Sequence, residues 1–346
     1  MAEAARVNIG VLGAGGLGKA AARIIGMKQE LLLRAVCDSK GLVASPDGVD
    51  PELIAQSGAD LVAGVRAQQA EGQGGGGVRV LGEVEARHCD DPLGALAALE
   101  DLEAFLVTLP NLPNEFIPSV VARLVRQRRG IVLVDVLKRT RAVELMLALD
   151  DLVRDAQSVV MTGCGATPGL LAAAAVLAAQ SFIQVERVDI WWGVGIANWD
   201  AYRATIREDI AHLPGFGVER AKALSDQDIE GLLARTHGVL ELRHMEHADD
   251  VLLQRAGVVE ARDQVEVGGV MDTRRPKKPV STTMTLTGIT YEGKRSSHTF
   301  TLGDETTMAA NVIGPALGYL KRGLWLKAHG ICGVFGSTEF LPMVVR

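Results

Sequence analysis

The stretch Val7-Asn8-Ile9-Gly10-Val11-Leu12, continued by Gly13-Ala14-Gly15-Gly16-Leu17-Gly18, decides the fold class. Its first half is a short apolar run, its second half fits G-x-G-x-x-G, and residues 19–25 then place Ala and Ile at helical spacing. A second apolar run, Leu31–Cys37, ends at Asp38. A strand, a helix and a strand at this separation pair in parallel through a right-handed crossover, the opening unit of a doubly wound Rossmann sheet. In such a unit Gly13 allows the tight strand exit, Gly15 lets a backbone approach a pyrophosphate, and Gly18 lets the helix sit close on the strand. The helix N-terminus then faces the phosphates. Asp38 stands 20 residues after Gly18, where a carboxylate meets the ribose hydroxyls of a dinucleotide. The turn, including Gly16 and Leu17, is therefore expected to bind NAD(P)(H). Asp38 repels a 2′-phosphate and favours NAD(H), although Ser39 and Lys40 are residues that receive one.

Outward from this unit, further strands are predicted at 78–81, 104–108, 131–136 and 158–163, with helices at 91–99, 117–126 and 141–154. Gln73 to Gly77 reads Q-G-G-G-G and predicts a surface loop, because glycine loses much backbone freedom on ordering. After Gly163 the rhythm changes. A helix at 170–181 leads to a strand at 185–194, then to a polar helical region at 200–235 broken at 214–217. Strand-like runs follow at 239–247, 264–270, 280–291 and 294–302, the last two joined by Glu292-Gly293 as an antiparallel hairpin. The tail predicts a helix at 305–320 and a strand near Val334, packed back on the first part. The expected fold class is α/β: a Rossmann doubly wound parallel sheet over 1–163, completed by 304–346, and a second α+β domain with an open mixed sheet over 164–303. That second part is expected to bind substrate and to form a homodimer.

Composition limits the function. A net charge of −6 over 346 residues, with only 4% aromatics, argues against a general nucleic-acid binder. The apolar run at 170–183 falls short of the roughly 20 residues that span a bilayer, so no membrane segment is expected. Residues 1–6 lack the basic flank and apolar core of a secretory signal. Four cysteines stand far apart with no C-x-x-C pair, which points to reduced thiols, a cytoplasmic home and no metal site. G-x-S-x-G, the Walker lysine and H-E-x-x-H are all absent, leaving hydrolase, phosphoryl-transfer and zinc-protease chemistry without support.

Ligands of a doubly wound sheet bind outside the carboxyl ends of its strands. Thr108-Leu109-Pro110-Asn111 closes one strand there and Lys138 follows another, so the former is expected at the cofactor and Lys138 at the chemistry. Thr167, capping the helix that starts near Pro168-Gly169, suits a substrate carboxylate. Arg274 and Arg275 gather cations between two strands and suit one as well. Asp200 follows Trp191-Trp192 and Asn198-Trp199, aromatics that can wall a pocket. His244 and His247 form H-x-x-H, but on a strand that spacing puts the rings on opposite faces, so no metal pair is expected.

Thr162-Gly163-Cys164-Gly165-Ala166-Thr167-Pro168-Gly169-Leu170 resembles the G-C-G-x-x-P-G-L signature of saccharopine dehydrogenase-like oxidoreductases. The tail from Gly303 to Leu317 is similar to the return of such proteins through a C-terminal helix. The resemblance implies hydride transfer between a nicotinamide and a carbon bearing nitrogen or oxygen in an amino-acid-like substrate, with Cys164 lining the site or acting as acid or base. A second stretch, Asp38-Ser39-Lys40-Gly41 with Pro46 to Asp50, is similar to homoserine dehydrogenases, which place a lysine at the position of Lys138. The remaining alternative is a non-catalytic NAD(P)-binding sensor or scaffold.

Overall fold

The computed structural model describes residues 6–72, 83–111, 113–196, 202–304 and 307–346. Its strands in chain order are β1 (Val7–Leu12), β2 (Leu31–Cys37), β3 (Gly41–Ala44), β4 (Glu85–His88), β5 (Ala104–Val107), β6 (Val132–Asp135) and β7 (Val159–Thr162). They are followed by β8 (Phe182–Gly195), β9 (Val239–Leu242), β10 (Val265–Asp272), β11 (Thr282–Thr290), β12 (Arg295–Leu302) and β13 (Gly333–Gly336). Among the described residues these form an eight-stranded sheet, ordered β13-β7-β6-β5-β1-β2-β3-β4, and a five-stranded sheet, ordered β12-β11-β8-β10-β9.

The first sheet is parallel from β13 to β2, because its strands are near-continuous apolar runs covered on both faces. On one face Ile9 and Val11 pack with Ala21, Ala22 and Ile25 of the helix Gly16–Gly26 and with Ile313 and Leu317 of the helix Met308–Ala328. On the other, Phe105 and Leu133 pack with Leu124 of the helix Phe116–Gln127 and Val143 of the helix Thr140–Leu147. The strand order reverses between β1 and its neighbours β2 and β5, and the crevice beyond their carboxyl ends is where such a sheet takes a ligand.

The α/β architecture with a parallel-rich sheet and a second, mixed sheet agrees with the sequence. In the second sheet β8 pairs parallel to β10 and antiparallel to β11, and β11 and β12 form the hairpin about Gly293, whose φ is 74°. Several local expectations change. The parallel sheet is extended by the antiparallel pair β3 and β4, short elements of which β4 is largely exposed and lacks an apolar pattern. The strand expected at 78–81 and the Gln73–Gly77 loop lie outside the described residues. The helix expected at 141–154 is two, Thr140–Leu147 and Asp150–Asp155, and the strand expected at 239–247 stops at Leu242. His244 and His247 therefore lie in the loop beyond it.

Candidate active site

A cavity of about 480 Å³ opens at the carboxyl ends of β1, β5 and β6 and is closed on its far side by the second sheet and its helices. The glycine turn forms one wall. Gly13 has φ 108°, which favours glycine, and a Cβ on Gly18 would stand 1.9 Å from the Gly13 carbonyl oxygen. Thr108 braces this turn, its Oγ1 donating to the carbonyls of Leu12 (3.0 Å) and Gly13 (3.2 Å). Asp38 closes its own turn, Oδ1 accepting from the amides of Lys40 (2.8 Å) and Gly41 (2.9 Å).

Two of the loops that line the cavity are tied together by Asp135, the buried last residue of β6. Its Oδ1 accepts from the amides of Leu137 (3.0 Å) and Gly163 (2.9 Å) and from Thr162 Oγ1 (3.1 Å), which ties the loop after β6 to the loop after β7. Burial pushes the Asp135 carboxyl up to about 6 despite those bonds. From the first of these loops Lys138 enters the cavity, and from the second Thr167.

Lys138 meets two carboxylates of the helix Arg203–Ile210. Its Nζ lies 2.6 Å from Asp209 Oδ1 and 3.4 Å from Glu208 Oε2, and Asn111 Nδ2 donates to the same Glu208 oxygen at 3.2 Å. Both carboxylate side chains are 2% exposed. Burial alone would lower the Lys138 ammonium, but Asp209 and Glu208 outweigh it and hold it above its ordinary value. Burial raises Glu208, a shift that Lys138 opposes. Arg139 beside it is held by Asn114 and Glu246, and His212 is pushed down to about 3 by burial, with help from Arg139, Lys138 and His247. A neutral His212 therefore stands next to the cationic pair.

Of the residues singled out in the sequence, Gly13, Gly15, Gly16, Leu17, Asp38, Ser39, Thr108, Leu109, Pro110, Asn111, Lys138 and Thr167 line this one cavity. Gly18 and Lys40 stand behind it, Lys40 bonding Asp60 at 3.0 Å. Cys164 is fully buried in the core, its amide donating to the Asp135 carbonyl at 3.0 Å, and is not part of the lining. Arg274 and Arg275 sit in an exposed loop whose amides bond Asp272, away from the cavity. Asp200 lies outside the described residues. The sequence reading passed over Glu208, Asp209 and His247. Their signal was weak: two acids inside a polar helix, and a histidine set aside because its segment read as a strand. Among the described residues no group of His, Cys, Asp and Glu is arranged to hold a metal ion, and no helix is long and apolar enough to cross a membrane.

No family model matches the chain. The (S)-8-amino-7-oxononanoate synthase BioU of Haloferax mediterranei is 41% identical to it over 349 residues, covering 97% of this chain and 99% of the relative. Among solved structures, C. glutamicum DAP dehydrogenase in complex with DAP aligns with a TM-score of 0.53 at 13% identity, over 96% of this chain and 93% of that one. An engineered D-amino acid dehydrogenase bound to NADP+ aligns with a TM-score of 0.54 at 12% identity, over 96% and 94%. These two show a shared fold.

The full-length relative corrects the functional expectations. It is a synthase, so membership in the saccharopine dehydrogenase-like oxidoreductases, the homoserine dehydrogenase-like alternative and the non-catalytic sensor do not stand. The expectation of NAD(P)(H) as cofactor, read from the glycine turn and Asp38, is not supported by this relative either. The physical reason lies in the motifs. Gly13 and Gly18 serve strand–helix packing and Asp38 closes a backbone turn, so these residues speak for a fold, and such folds host unrelated activities.

Proposed function

The chain belongs to the (S)-8-amino-7-oxononanoate synthase BioU family, and on that premise we propose that its cavity forms or holds (S)-8-amino-7-oxononanoate, with Lys138 as the group that meets the ketone. This compound carries a carboxylate at one end of an alkyl chain and, near the other, a ketone and an amine on neighbouring carbons. The observation that supports the reading is the pairing of Lys138 with Glu208 and Asp209 inside the cavity. The two carboxylates suit the ammonium of an amino ketone, and a lysine amine adds to a ketone carbon once it has lost its proton. Glu208, with Oε2 3.4 Å from Nζ, is placed to take that proton. After addition the carbonyl oxygen leaves as water, giving an imine between Nζ and the ketone carbon.

The rest of the cavity fits the remainder of the molecule. Met245, Met271 and Met308, with Leu302 and Val312, offer a flexible apolar wall for an alkyl chain. The amides about Gly13, Gly15 and Gly16, at the start of the helix Gly16–Gly26, suit an anionic group of a substrate or co-substrate. None of the four cysteines is disulfide-bonded, which fits a reducing cytoplasm. A homodimer through the open face of the second sheet is part of the proposal, and a monomer in light scattering refutes that part.

The test is direct. The purified chain is incubated with (S)-8-amino-7-oxononanoate, reduced with borohydride and weighed by intact-mass spectrometry. A mass increase equal to the reduced imine supports the reading, and an unchanged mass contradicts it.

A further inference from the structure

We infer that His247 is a further catalytic residue of this cavity, the proton donor to the ketone oxygen, with Asp249 and Thr167 as its positioning residues. The inference rests on the proposed meeting of Lys138 with a ketone. His247 lines the cavity and is 3% exposed. Its Nδ1 lies 2.7 Å from Asp249 Oδ2, an ion-pair contact, and Thr167 Oγ1 donates to that same oxygen at 2.5 Å. Asp249 is fully buried and its other oxygen has no partner among the described residues.

A buried carboxylate with an orphaned oxygen is unfavourable on stability grounds alone. What it holds in place here is an imidazole ring. The Asp249 carboxylate lies against Nδ1 without a hydrogen bond to it, so it confines the ring by contact and charge and leaves Nε2 as the ring atom for a ligand. Among the described residues no hydrogen bond is made to the ring, and His247 lines the cavity, so the inference assigns Nε2 to the molecule bound there. The distance to Lys138 is fixed through the backbone, because the amide of Ala248 donates to the Lys138 carbonyl at 2.8 Å. Thr167, Lys138 and His247 thus converge from three separate loops on one space.

The step balances within the cavity. Lys138 Nζ, neutral after giving a proton to Glu208, forms a bond to the ketone carbon as the C=O π electrons move onto oxygen. In the proposed step a proton carried on Nε2 passes to that oxygen, and the surplus proton on Nζ returns to Nε2. No oxidant or reductant is consumed.

The test measures the rate of the borohydride-trapped adduct against (S)-8-amino-7-oxononanoate concentration for the wild type, His247→Gln and Asp249→Asn. Loss of a general acid predicts a maximum rate about 100-fold lower in His247→Gln, with the half-saturating concentration changed less than about 3-fold. Asp249→Asn should lower the maximum rate by about 10-fold in the same manner, as a displaced orienting group does. A His247→Gln protein that traps at the wild-type maximum rate overturns the inference while leaving the role of Lys138 intact. A wild type that traps no adduct removes the functional reading and this inference together. Should the substitution lower the melting temperature, the wild type itself decides: with ¹⁵N-labelled histidine, the ligand must shift the Nε2 resonance of His247, and an unmoved resonance overturns the inference.

Discussion

Lys138 Nζ and Asp209 Oδ1 stand 2.6 Å apart although they come from opposite walls of the cavity, one from the loop after β6 and the other from the helix that follows β8. Neither charge is tolerable alone at this depth, and each makes the other so. The pair therefore joins the two sheets and arms the cavity at once.

Lys138→Ala leaves Glu208 and Asp209 buried without a cation. Breaking a buried pair costs about 3–5 kcal/mol. Without the lysine the Glu208 carboxyl, already raised by burial, loses the cation that opposes that shift, so the folded state binds its proton more tightly than the unfolded chain does. Stability is then highest at low pH and is lost as pH rises through the raised folded value. Denaturant titrations at pH 5 and pH 8 should show the variant's deficit growing towards pH 8, and a constant deficit contradicts the account.

Asp135 makes a separate pH prediction. Its carboxyl is pushed from an ordinary 3.8 up to about 6 by burial. The folded state again holds the proton longer, so this group's contribution is present below about pH 4 and is lost as pH rises through 6. A shift of about 2 units corresponds to about 3 kcal/mol. Asp135→Asn has no such titration, so the stability difference between variant and wild type should move in the variant's favour by about 2 kcal/mol from pH 4.5 to pH 7.5. A difference that does not change with pH contradicts the assigned shift.

Gly18 and Gly15 separate packing from binding in the glycine turn. A Cβ on Gly18 would collide with the Gly13 carbonyl, whereas a Cβ on Gly15 meets nothing within 4 Å. Gly18→Ala should destabilise by about 1–3 kcal/mol or more, as overpacking does. Gly15→Ala should leave stability nearly unchanged and act, if at all, on ligand binding. Equal denaturation midpoints for the two variants would contradict this division.

These residues also show what the sequence could say. β1 and β2 were legible to the residue, because an apolar run between a glycine turn and an acid has few other readings. The strand expected near Val334 is β13, which pairs with β7, while the helix before it runs Met308–Ala328 and not 305–320. β4 was not legible, since Glu85–His88 carries no alternating pattern and its pairing is decided by β3. Lys138 was expected at the cavity from its place after a strand, and it lines the cavity, whereas Glu208 and Asp209 carried no such signal, being two acids in a polar helix that only the fold brings beside a lysine distant in sequence. Arg274 and Arg275 misled: a run of cations has the chemistry of a carboxylate site, and only the fold places it in an exposed loop. The reaction class was misread from motifs that belong to the scaffold.

The account's central claim is that the Lys138 amine reacts with a ketone in this cavity, and peptide mapping of the borohydride-trapped chain tests it most directly. The account predicts a single modified peptide carrying Lys138, absent from Lys138→Arg. Modification at other lysines with Lys138 untouched, or equal trapping in Lys138→Arg, would contradict it.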